Sequence, residues 1–178
     1  MNQSLAEFLT EQKADAAKIQ EAAVLYIGEA SGDLPTEKMR AEVIAKAGNA
    51  ALVGQALSEL GRDPALTEKI LLLALAQAWE QPTEQERIRN AFAAARRKLT
   101  FIDPEGLLIL TLFAMSWCGY FVHLAATGGE TKKIKGVKRH PDGSFEEYEE
   151  TEIAAPPNPG STVSEIFKVL AKDEKKKD

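Results

Sequence analysis

The chain has 178 residues, with 22 Lys and Arg against 27 Asp and Glu, a formal charge of −5 and 44% hydrophobic residues. That is enough apolar material for one packed domain with an appendage, and the acidic balance argues against a surface built mainly for nucleic acid. The lone cysteine, Cys118, excludes an internal disulfide framework and any multi-cysteine metal site, and the two histidines, His123 and His140, leave little histidine chemistry.

Residues 1–13 carry Glu7 and Glu11 rather than a basic stretch followed by an apolar run, so they do not read as a secretory signal. With the single thiol, this points to a reducing cytoplasm. From Ser4 to Ile27 the apolar residues Leu5, Phe8, Leu9, Ala16, Ile19, Ala23 and Ile27 recur at helical spacing, which predicts one amphipathic helix. Ser4 with Glu7 forms a capping box at its start, and Ser31-Gly32-Asp33 stops it. Met39, Val43 and Ile44 begin a second helical stripe. Gly48-Asn49 interrupts that stripe, which resumes at Leu52, Val53, Leu57 and Leu60, giving two short helices or one kinked one.

Asp63-Pro64 is a helix start, with Asp as cap and Pro at the first helical position. The run Ile70 to Ala76 is apolar on nearly all sides and belongs inside a bundle. Thr83 with Glu86 forms a second capping box. The helix after it carries Arg87 and Arg89, followed by Arg96, Arg97 and Lys98. This basic face reads first as a solvated surface pairing with the chain's own carboxylates, and otherwise as a phosphate or lipid-headgroup contact.

Asp103-Pro104 opens the most apolar segment. Residues 106–129 contain no Asp, Glu, Lys or Arg, and the run exceeds the ~18 residues at which a membrane span becomes a candidate. Trp117 and Tyr120 sit in its middle rather than at its ends, against the pattern of a spanning helix. Ser116, Gly119, Tyr120, His123 and Thr127 form one polar seam suited to packing against other helices. A core helix is therefore the first reading and a membrane anchor the alternative. His123 reads as a structural histidine and Cys118 as an inert buried thiol.

Beyond Gly129 a basic run, Lys132 to Arg139, meets an acidic run, Ser144 to Ile153, across Pro141-Asp142-Gly143. Asp-Gly between two such runs signals a β-hairpin. With Asp142 and Gly143 as a two-residue loop, Arg139 faces Glu146, Lys138 faces Glu147, Lys135 faces Glu150, Lys133 faces Glu152, and Val137 faces Tyr148. Residues 154–160 form a Pro-rich linker. A short amphipathic helix follows, carrying Ile166, Phe167 and Leu170 on one side, and then a charged tail. The charged hairpin, Pro156-Pro157 and the Ile166-Phe167-Leu170 group resemble the C-terminal region of some phage terminase small subunits, over about residues 131–171. That resemblance implies an assembly or DNA-packaging accessory role. The N-terminal half shows no helix-turn-helix pattern, so neither DNA binding nor any functional residue is carried across.

The reading is thus a mainly α chain. It comprises a helical bundle at 1–129 around a very apolar central helix (106–127), a charged β-hairpin at 130–154, and a linker, short helix and tail at 155–178. It carries no phosphate loop, nucleophile elbow or metal motif, so no enzyme activity, cofactor or metal is assigned. The expected function is a helical interaction or assembly protein that self-associates. Val137, Tyr148, Ile166, Phe167 and Leu170 are its partner-binding residues.

Overall fold

Ser4 caps the first helix as its spacing to Glu7 predicts. The Ser4 hydroxyl accepts from the Glu7 N–H at 3.2 Å, and the Glu7 carboxylate accepts from the Ser4 N–H at 2.9 Å. The computed structural model describes residues 3–47, 50–95, 103–126 and 133–151, with backbone alone at 117–126, 133–134 and 150–151. The helices are α1 (Leu5–Glu11), α2 (Ala16–Ala30), α3 (Thr36–Ala47), α4 (Ala50–Arg62), α5 (Pro64–Trp79), α6 (Pro82–Ala95) and α7 (Pro104–Ala126). One antiparallel hairpin follows, β1 (Lys133–Arg139) and β2 (Phe145–Thr151).

The single helix expected over 4–27 is in fact two. Lys13 adopts a left-handed backbone with φ of 47°. Its N–H donates to the Thr10 carbonyl and the Ala14 N–H donates to the Leu9 carbonyl, the paired bonds that close a helix C-terminus. Asp15 then caps α2 by accepting from the Lys18 N–H at 2.8 Å. Ala14 and Leu9 are both buried, so the break preserves the apolar stripe that suggested continuity. The same paired bonds close α2 at Gly32 (φ 71°), where the sequence placed its stop.

Asp63 caps α5 through the Leu66 N–H with Pro64 at the first position, and Asp103 caps α7 through the Gly106 N–H. The Thr83–Glu86 capping box does not define the start of α6. That helix begins at Pro82, so Thr83 is already inside it.

The middle of the bundle is α5, as its all-round apolar run suggests; a central place for the 106–127 helix is not borne out among the described residues. Ile70, Leu71, Leu72, Ala74, Leu75, Ala76 and Trp79 are all buried, and α5 packs against α2, α4, α6, α7 and β1. The first half of α7 lies against α3, α4 and α5, burying Ile109, Leu110, Leu112, Phe113, Ala114 and Met115. Thr111 and Ser116 are buried there with their hydroxyls donated to the Leu107 and Phe113 carbonyls. Among the described residues no helix is long and apolar enough to cross a membrane. The side chains of Trp117, Cys118, Tyr120 and His123 lie outside the described residues.

The hairpin forms, with a register one residue away from the expected one. The His140 N–H donates to the Ser144 carbonyl at 2.8 Å and the Gly143 N–H donates to the His140 carbonyl at 2.9 Å. The loop is therefore three residues, Pro141 to Gly143, with Gly143 alone left-handed at φ 86°. The two-residue alternative needs positive φ at Asp142 as well. Pro141 favours the loop found, because its fixed φ suits the second position of a type I turn. Val137 consequently faces Glu147 rather than Tyr148, and Tyr148 faces Gly136. Charge opposition survives in altered form, with Lys135 across from Glu149 and Lys138 across from Glu146.

Candidate interaction surface

Three side chains fix β1 to α5. Val137 is 2% exposed and joins the core. Arg139 forks onto Glu68, with Nε to Oε1 at 2.6 Å and Nη2 to Oε2 at 3.0 Å. The Gln77 amide donates to the Lys135 carbonyl at 2.8 Å, and Lys135 Nζ lies 3.9 Å from Glu80. The Arg139–Glu68 pair is only 26% and 14% exposed, and bidentate geometry makes it stronger than an ordinary surface pair. Its hydrogen bond to Glu68 raises the Arg139 pKa further above its ordinary value, with burial opposing. Phe145 packs against the core at the start of β2, where α1 lies against the strand.

Because side chains alternate across a strand, burying Val137 turns the other face outward. That face carries Gly136, Lys138, Glu146 and Tyr148. The Tyr148 ring covers Gly136 so closely that a Cβ built there would lie 2.5 Å from Tyr148 Oη and 2.8 Å from Cε1. A side chain at this position would have to push the ring aside. At the tip, Asp142 Oδ1 accepts from both the Ser144 N–H (2.9 Å) and the Ser144 hydroxyl (2.6 Å). The Ser144 hydroxyl bond, then its backbone bond, hold the Asp142 carboxyl below its ordinary pKa. His140 Nε2 and Glu146 Oε2 are 2.9 Å apart beside it.

Of the residues expected to bind a partner, Val137 therefore points into the body and Tyr148 lies half-buried on the outward face. Ile166, Phe167 and Leu170 lie outside the described residues. Lys138 and Glu146 were not expected as the charged neighbours of Tyr148. The signal was Pro141, whose position in the loop moves every cross-strand pair by one residue.

The basic face of α6 is used within the molecule where it is described. Arg87 bonds to Glu84 at 3.2 Å and lies 3.4 Å from Glu29, while Glu84 also accepts from the Tyr26 hydroxyl at 2.7 Å. The Glu84 charge, followed by its hydrogen bond, raises the Arg87 pKa. Arg89 lies 4.9 Å from the ring centres of both Phe8 and Trp79, and donates to Gln3 at 2.9 Å. Phe8 stacks on Trp79 at 5.1 Å and meets Phe92 edge-on at 5.4 Å. Arg96, Arg97 and Lys98 lie outside the described residues.

Among the described residues no group of three or more His, Cys, Asp or Glu side chains is placed to hold a metal. No protein-family model, curated protein or solved structure matches the chain.

Proposed function

We propose that the chain is a non-enzymatic interaction or assembly protein that self-associates through the outward face of its hairpin. The single observation carrying this reading is the way the hairpin is held. A two-stranded hairpin alone is marginal in water. Here Val137, Arg139 and Gln77 fix one face to α5, so the other is presented in a set geometry. That face has an aromatic ring at Tyr148, one cation at Lys138 and, across the strands from it, one anion at Glu146, whose carboxylate also meets His140. A surface carrying both signs is complementary to itself about a two-fold axis, with Lys138 of one copy meeting Glu146 of the other. The C-terminal segment with Ile166, Phe167 and Leu170 is the second contact element in this reading. Sedimentation equilibrium of the full chain over a wide concentration range tests the proposal. The expected result is a mass that rises from monomer to a closed oligomer; a monomer mass at every concentration contradicts it.

A further inference from the structure

We infer that the outer edge of β2 takes an extended, Lys- or Arg-bearing segment of a different protein as a third strand. This inference rests on the hairpin being a contact element. The hydrogen bond from His140 to Ser144 sets the alternation along the ladder. Pairs 139–145, 137–147 and 135–149 are the non-hydrogen-bonded ones, whose backbone N–H and C=O groups point away from the partner strand. On the β1 side that edge lies on α5, where Gln77 donates to the Lys135 carbonyl. On the β2 side, among the described residues, no group hydrogen-bonds to the backbone of Phe145 or Glu147.

Charge then selects the occupant. The register leaves Glu147 facing Val137, so this exposed carboxylate has no cation across the ladder. Glu147 is exposed, and a new strand along the β2 edge is a neighbour that can set a cation beside it. Glu146 and Glu149 surround it, and the other side of the same strand already faces Lys135 and Lys138. A second copy of β2 would bring glutamates against glutamates, which is unfavourable in directly opposed pairs. The basic strand of a second copy has its outer side on α5. A foreign extended segment with cations at alternate positions meets both requirements, its main chain bonding the edge and its cations answering Glu147.

The test is fluorescence polarisation with the full chain and a labelled Lys-Val-Lys-Val-Lys-Val peptide. Two further probes are its Glu-Val counterpart and a Lys-Val peptide N-methylated along one edge, which keeps the charge and removes the donors. The expected result is saturable binding of the first peptide alone. Glu147→Lys or Glu147→Pro should weaken it by about tenfold or more, a difference of about 1.4 kcal/mol. Proline at this position removes only an edge donor, and unchanged tryptophan fluorescence would show that the body is intact. Equal binding of the N-methylated peptide would overturn the inference, leaving only diffuse charge attraction. Absence of binding, or self-association strengthened by Glu147→Lys, would overturn it too. Sedimentation in parallel separates the two readings: peptide binding by a strictly monomeric chain contradicts self-association alone, and an oligomer that ignores the peptide contradicts the third-strand inference alone.

Discussion

Removing the Arg139 guanidinium leaves the Glu68 carboxylate, 14% exposed, without its fork. Arg139→Ala is expected to destabilise docking by about 1.5–3 kcal/mol, the range for hydrogen bonds to charged groups. The loss should appear in hydrogen exchange as β1 amides that open without α5 opening. Equal loss of protection in α5 would show that hairpin and bundle unfold as one unit. Gly136 and Tyr148 form a second residue-scale test. Gly136→Ala forces the ring aside, so its cost should fall sharply in a Tyr148→Ala background, with a coupling of about 0.5–3 kcal/mol in a double-mutant cycle. Additive effects would mean that the ring does not sit over the glycine. Asp142 supplies the pH dependence. Its folded pKa lies below the ordinary 3.8, so its contribution to the turn is fully present above that value and is lost as pH falls through the lower one. The Ser144 amide resonance should therefore titrate with a midpoint below 3.8, and a midpoint at or above it contradicts the hydrogen bonds to Asp142.

At the scale of elements, helix starts were the most legible feature, because caps act within one turn. Ser4 with Glu7, Asp63-Pro64 and Asp103-Pro104 all begin helices where the residues placed them. Asp63→Ala should cost about 0.5–2 kcal/mol in urea unfolding, since it uncaps the central helix; no measurable loss would remove that cap from the account. The break at Lys13 was hidden for a physical reason. A left-handed lysine carries none of the usual glycine signal, and Ala14 keeps the apolar period running through the turn. The hairpin was legible as an element, but its register was not. Asp142-Gly143 fits a two-residue loop, and only the fixed φ of Pro141 moves the turn to three. One residue of slip carried Val137 away from Tyr148 and set the charges of the outward face. The stacking of Phe8, Arg89 and Trp79 had no local signature, because it joins helices distant in sequence.

For the whole molecule, the all-round apolar run of α5 pointed to the middle of the bundle, whereas a central place for the 106–127 helix is not borne out among the described residues. The 106–129 run is the longest uncharged stretch. A central helix, however, is defined by how many sides it buries, and α5 meets α2, α4, α6, α7 and the hairpin. Leu75, fully buried on α5, should cost about 2–5 kcal/mol when cut to alanine. The central claim is that the outward hairpin face joins copies of this chain, with Lys138 meeting Glu146. Sedimentation of Lys138→Glu alone, Glu146→Lys alone and an equimolar mixture of the two tests it most directly. Each variant alone places like charges in contact, whereas the mixture restores both pairs between unlike copies. The expected result is monomer for each variant alone and recovered association in the mixture; variants that associate as the parent chain does, or a mixture that stays monomeric while the parent associates, would contradict it.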